Sequence, residues 1–150
     1  MVCLGNICRS PLAEGILQYK IEKHKLDWQV DSAGTASWHN GERPDSRSQR
    51  VAKKHGIDIS GQRSRQFQAY DYENFDLIFA MDLQNLRDIK ALALNDDESK
   101  KAKLFLQELF PEHKMEVPDP YYGDDGFESV YRLLDRACDA FIKNQLATQK

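Results

Sequence analysis

The chain has 150 residues, of which 41% are hydrophobic and 30% charged, with a formal net charge of -3. That length predicts one domain over residues 1–150, burying roughly 70% of its unfolded surface. The mild acidity argues against a dedicated nucleic-acid binder, which carries a basic patch and a high pI. No apolar run approaches the roughly 20 residues of a membrane span, and no charged-then-apolar leader opens the chain, so no membrane partner is expected. Three cysteines are an odd number in a chain large enough to fold without staples, which predicts cysteine chemistry in a reducing, cytoplasmic setting.

Only Met1 and Val2 precede Cys3. Ordinary strands run to about 5–6 residues, so the first strand is expected to begin upstream of this numbering. Leu12, Ala13, Ile16, Leu17 and Ile21 recur at helical spacing and predict a helix from Pro11 to about residue 25, with Ser10 as N-cap and Pro11 at the first position. WQVDSAG, from Trp28 to Gly34, reads as a strand ending in a small-residue loop. Asp45 is placed to cap a helix through Val51 and Ala52 that stops at Gly56. DLIFAM, Asp76 to Met81, is a continuous apolar run, the mark of a buried parallel strand, and a helix follows from Leu83. KAKLFL, Lys101 to Leu106, is a weaker strand signal, and VPDPYYGDDG reads as a loop. Phe127, Val130, Tyr131, Leu134, Ala137, Cys138, Phe141 and Ile142 predict a long amphipathic C-terminal helix with Cys138 in the core. Strands alternating with helices predict an α/β fold, a parallel sheet covered on both faces that binds ligands beyond the carboxyl ends of its strands.

The segment CLGNICRS, Cys3 to Ser10, falls at such an end, between the first strand and the first helix. Backbone N–H groups of a turn there converge, and the helix dipole adds positive potential, so a tetrahedral oxyanion such as phosphate is favoured along Leu4, Gly5, Asn6, Ile7, Cys8 and Arg9. Gly5 permits close backbone approach, and the planar fork of Arg9 can grip two phosphate oxygens. A positive field favours thiolate, the nucleophilic form of cysteine, so Cys3 is placed to take a phosphoryl group in line. No Gly-Lys-Ser/Thr follows, which excludes a nucleotide-binding Walker loop. Read without this context, Cys3 is a small buried hydrophobe and Arg9 a surface charge.

A leaving alcohol or phenol departs faster when an acid protonates it, typically by 10²–10⁴-fold. Asp119 is the candidate, presented on a loop stiffened by Pro118 and Pro120, and it could later take a proton from the attacking water. Tyr121 and Tyr122 could wall an aromatic-sized slot. In isolation Asp119 would read as a solvated turn residue.

VCLGNICRSPLAEG together with VPDPYYG resembles the low-molecular-weight protein tyrosine phosphatases, and the likeness continues through VDSAGTASWHNGERPDSRS, KKHGIDISGQRSRQF and FDLIFAMDLQNLRDI. The resemblance implies a four-stranded parallel sheet in order 2-1-3-4 with flanking helices, no metal and no cofactor. It implies that Cys3 is the nucleophile, Arg9 the phosphate grip and Asp119 the general acid. Asn6 corresponds to the residue that holds the loop in shape, Ser10 to the hydroxyl that stabilises the thiolate, and Ser32 to the hydroxyl bonded to that asparagine. Ile7, Trp38, Tyr121 and Tyr122 correspond to the substrate slot. The partner implied is a phosphotyrosine-containing protein or peptide, the protein itself a monomer with weak self-association through its aromatic rim.

In this family the second cysteine of the loop can form a disulfide with the nucleophile, a role that falls here to Cys8; otherwise Cys8 is a small loop filler. Where many bacterial members carry a histidine after the Ser-Gly turn, this chain has Gln62, so a hydrogen bond behind the loop is expected to differ. His55 precedes Gly56 at a helix end, where an imidazolium suits the dipole. His24 and His113 read as surface residues, and His39 reads either as a neighbour of the slot mouth or as an exposed loop residue. Within the fold, arginine phosphatases have a smaller residue in place of Ile7, and arsenate reductases rely on additional relay cysteines and lack the Asp-Pro-Tyr-Tyr loop. A reading of a different class is an inactive phosphotyrosine-binding module, which the joint presence of nucleophile, arginine and acid opposes.

Overall fold

The computed structural model describes residues 1–122 and 126–149, without the side chain of Tyr122. Val2–Cys3 forms β1, the centre of a four-stranded parallel sheet of order β2-β1-β3-β4 with β2 at Ala33–Gly34, β3 at Ile78–Ala80 and β4 at Ala102–Leu104. This is the order 2-1-3-4 expected above. Val2 pairs with both Ala33 and Ala80, and Cys3 with Gly34. Successive side chains along a strand alternate faces, so Val2, Ile78 and Ala80 enter one core while Cys3, Phe79 and Met81 enter the other.

Helices α1 (Arg9–Lys23), α2 (Ser46–Lys54) and α6 (Gly126–Thr148) pack on one another over the Phe79 face. Phe79 stacks there against Phe105 at 5.2 Å and Phe141 at 5.1 Å between ring centroids. α3 (Asp71–Asn74) and α4 (Leu83–Lys90) cover the other face, where Phe67, Tyr72 and Ile89 are buried, and α5 (Asp96–Ser99) leads into β4. All eight apolar positions named for α6 are buried, Cys138 completely. Burial pushes the Cys138 thiol well above the ordinary cysteine range, so it is an apolar core group. Among the described residues no helix is long and apolar enough to cross a membrane.

Several expectations need correction. Ser10 does not cap α1 and Pro11 is its third residue; the N-cap is Cys8, which makes no side-chain capping bond. The Ser10 hydroxyl is engaged by the Cys3 loop, so it is withdrawn from capping. The strand expected over residues 28–34 is confined to Ala33–Gly34, because a parallel strand forms only where a neighbour supplies a ladder. Ala33 N–H still bonds to Met1 O, but residues 28–32 lie across a cavity of about 590 Å³ from residues 75–79, at the end of β1 remote from the Cys3 loop. β3 and β4 are shortened likewise, and Phe105 and Leu106, the end of the expected last strand, open the 3₁₀ turn Phe105–Glu108. Asp45 does cap α2, accepting from Arg47 N–H at 2.8 Å, and Gly56 ends it at φ +83°.

Gly15 lets α1 approach the 57–59 segment closely: a Cβ there would lie 2.4 Å from Ile59 Cγ2 and 3.3 Å from Ile57 Cγ2. In an open helix Gly→Ala stabilises by about 1 kcal/mol. Here overpacking a branched, buried neighbour outweighs that gain, so Gly15→Ala is expected to destabilise by about 1–2 kcal/mol. Urea unfolding measures it, and a rise in the midpoint would contradict the packing described.

Candidate active site

The turn between β1 and α1 is closed by hydrogen bonds from its own side chains. Asn6 adopts φ +58°, a left-handed conformation uncommon for any residue but glycine. Its amide nitrogen donates to Ser10 Oγ at 2.8 Å and to Ser32 Oγ at 2.9 Å, and its oxygen accepts from Arg65 N–H at 3.1 Å. Ser32 passes its own hydrogen to Glu14 Oε1 at 2.7 Å. Burial holds the Glu14 carboxyl above the usual carboxylate range, with the Ser32 bond pulling the other way.

Ser10 Oγ, accepting from Asn6, stands 3.0 Å from Cys3 Sγ and only 3.4 Å from Ala33 O. Asn6 N–H also points at Sγ, at 3.3 Å. The sulfur of Cys3 thus lies against the Asn6 N–H and the Ser10 hydroxyl at the N-terminal end of α1, whose first turn carries no side-chain cap.

Arg9 is almost wholly buried. One arm of its fork donates to Asp82 Oδ2 at 2.8 Å and to Val117 O at 3.1 Å; the other faces Asp119 Oδ2 at 3.8 Å. Burial alone would lower the guanidinium pKa, but the charges of Cys3 and Asp82 outweigh it and raise it, so the cation is secure. Asp119 accepts Tyr121 N–H on its other oxygen at 3.1 Å and keeps 39% of its side chain exposed. Arg9 and Asp119, 110 residues apart in the chain, therefore meet beside the turn that carries Cys3.

The remaining residues frame it. Leu4 is part-exposed and its carbonyl accepts Ala36 N–H; Ile7 is part-buried and its carbonyl accepts Asp45 N–H at 2.8 Å. The carbonyl of Cys8 accepts from Ser48 Oγ, and burial, reinforced by Asp45 and Cys3, pushes the Cys8 thiol up to about 12. Trp38, 74% exposed, stands on the loop after β2, and Tyr121 on the acid loop. Tyr122 lies in the 3₁₀ turn Pro120–Tyr122, its side chain outside the described residues. His39 packs beside Gly5, its Cδ2 3.0 Å from where a Cβ would stand, with Nδ1 against Glu42. Gln62 donates to Pro11 O, so it supports α1 rather than the Asn6 network.

Asp82, Glu14, Arg65 and the Val117 carbonyl were missed by sequence reasoning. Asp82 had a signal: it follows β3 at the carboxyl end of the sheet, where ligand sites form. One carboxylate oxygen caps α4 through Asn85 N–H at 2.7 Å while the other holds Arg9. Nothing in the local sequence marks Glu14, whose role exists only because α1 passes Ser32.

The sequence pattern of a family described as "Low molecular weight phosphotyrosine protein phosphatase" matches residues 1–150. A chicken (Gallus gallus) protein of that name is 41% identical over 146 residues, 95% of this chain and 91% of the relative. The crystal structure of a protein tyrosine phosphatase from Entamoeba histolytica, with Hepes in its active site, superposes with TM-score 0.91 at 38% identity, covering 99% of this chain and 96% of the other. A Drosophila arginine phosphatase superposes with TM-score 0.88 at 36% identity, covering 96% and 94%.

Gly34 lies directly beneath the turn. A Cβ there would meet only backbone, Leu4 O at 2.8 Å and Asn6 N and Gly5 C at 3.1 Å. Gly34→Ala is expected to displace the turn and cost about 1–3 kcal/mol of stability. Thermal unfolding checks this, and a melting temperature equal to that of the unsubstituted protein would contradict the close approach.

Proposed function

The chain belongs to the low molecular weight phosphotyrosine protein phosphatase family, and on that footing we propose that it hydrolyses phosphotyrosine in proteins or peptides through a cysteinyl-phosphate intermediate. The observation that carries this reading is the meeting of the buried Arg9 fork with the Asp119 carboxylate, 3.8 Å apart, beside the turn that holds the Cys3 sulfur against Ser10 and Asn6. The phosphate lies on the backbone N–H groups of residues 4–9 with the free arm of Arg9 on its oxygens. Cys3 thiolate attacks phosphorus, forming the S–P bond as the P–O bond to the phenol breaks. Asp119 delivers its proton to the departing oxygen. Water then attacks phosphorus, Asp119 takes its proton, the S–P bond breaks, and phosphate leaves with the thiolate restored. The positive field of the turn and Arg9 stabilises the equatorial oxygens in both steps.

Cys8 is assigned no part in this transfer: its thiol is buried and its carbonyl is held by Ser48 Oγ. As a second thiol in the same loop it is the natural partner for an oxidised Cys3, the redox role that the family resemblance implies. The likeness to an arginine phosphatase favours phosphoarginine as the second reading. Ile7 opposes it, since a branched apolar residue narrows the slot toward a flat phenol ring.

Steady-state kinetics on phosphotyrosine, phosphoserine and phosphoarginine peptides test the assignment. Phosphotyrosine is expected to be turned over best, and preference for phosphoarginine would overturn it. Replacing the acid gives a second check. Asp119→Ala is expected to lower kcat/KM for phenyl phosphate by about 10²-fold or more, and for p-nitrophenyl phosphate, whose leaving group departs without a proton, by far less. Equal losses would remove Asp119 from the proton-donor role.

A further inference from the structure

The first turn of α2 is bonded to the Cys3 loop twice, through Asp45 N–H to Ile7 O at 2.8 Å and Ser48 Oγ to Cys8 O at 3.3 Å. From that anchored turn Arg47 reaches out. Its guanidinium grips the Asp45 carboxylate with two parallel bonds, Nε to Oδ1 and Nη2 to Oδ2, each 3.1 Å. Arg47 Cζ lies over the ring of Tyr121 at 5.3 Å from its centroid and over that of Phe127 at 4.7 Å. Phe127 is buried in the core, so one side of this contact is fixed, while Tyr121 is 42% exposed. Tyr121 N–H in turn donates to Asp119 Oδ1. A bidentate, planar cation stacked on two rings defines an orientation that a flexible ammonium cannot reproduce.

We propose that Arg47 is the positioning residue of the acid loop: anchored through Asp45 to the Ile7 carbonyl, it holds Tyr121, and through Tyr121 the Asp119 carboxylate, in register with the phosphate loop. The proposal rests on the phosphatase reading above. Arg47 touches neither sulfur nor phosphate in this scheme. It sets the distance between the proton donor and the leaving oxygen, which matters only when the leaving group needs a proton.

The test measures kcat/KM, which reports P–O cleavage, for phenyl phosphate and p-nitrophenyl phosphate in Arg47→Ala and Arg47→Lys, with melting temperatures alongside. For Arg47→Ala the phenyl phosphate value is expected to fall on the order of tenfold and the p-nitrophenyl phosphate value by about twofold or less, since a displaced acid loses part of its contribution. Arg47→Lys keeps the charge but not the fork, and is expected to widen the ratio by an intermediate factor. If Arg47→Ala does not fold, the ratio in Arg47→Lys decides. An unchanged ratio in a folded variant overturns the positioning role, whether both substrates slow equally or neither slows. The two readings fail separately: an unsubstituted protein that hydrolyses neither ester rejects the phosphatase reading, whereas an active one with a ratio sensitive to Asp119→Ala but not to Arg47 rejects only this inference.

Discussion

The amide of Asn6 donates one hydrogen to Ser10 and the other to Ser32, and its oxygen receives the Arg65 N–H. Holding a non-glycine residue at positive φ costs on the order of 1–3 kcal/mol. Three hydrogen bonds among buried groups, each contributing about 0.5–1.5 kcal/mol, are enough to offset it. The strained turn therefore persists because its side chain is saturated. Once Asn6 is fixed, its backbone N–H is aimed at the Cys3 sulfur, and the Ser10 hydroxyl, accepting from the Asn6 amide, is held 3.0 Å from the same atom. One side chain thus positions both groups that face the sulfur.

The rest of the fold holds this turn from outside. β2 brings Ser32 and Gly34 beneath it, and only a glycine at position 34 leaves room for the loop backbone. β3 delivers Asp82, which locks one arm of Arg9 and leaves the other directed toward Asp119. α2 grips the carbonyls of Ile7 and Cys8. The sheet is very short at its centre, with β1 only two residues long, and the turn is held by Asp82 beyond β3, the start of α2, and the loop residues Ser32, Arg65 and Val117. The geometry that concentrates backbone donors and positive potential at one point is the same geometry that joins the three strands.

Much of this was legible in the amino-acid sequence. The α6 stripe from Phe127 to Ile142 was read correctly because a 3.6-residue period on a long helix is decided locally. The strand order came from family resemblance, whereas the phosphate-loop reading of Cys3 to Ser10 came from its residue types at a strand-to-helix turn. What the sequence concealed depends on contacts between distant segments. Strand limits are set by ladder partners, so the stretch from Trp28 to Ser32, with strand-like composition, forms no ladder. Ser10 has the side chain of an N-cap but is diverted by Asn6 and Cys3. Glu14 and Arg65 support the site through Ser32 and the Asn6 oxygen, contacts that exist only after α1 and β2 pack.

The central claim is that the sulfur beneath this turn receives the phosphoryl group. The direct measurement is rapid acid quench of the protein turning over an aryl phosphate, followed by mass spectrometry of its peptides. Phosphate carried on Cys3, and absent in Cys3→Ser along with turnover, is the predicted result. Turnover that survives in Cys3→Ser, or phosphate carried on another residue, would contradict the account.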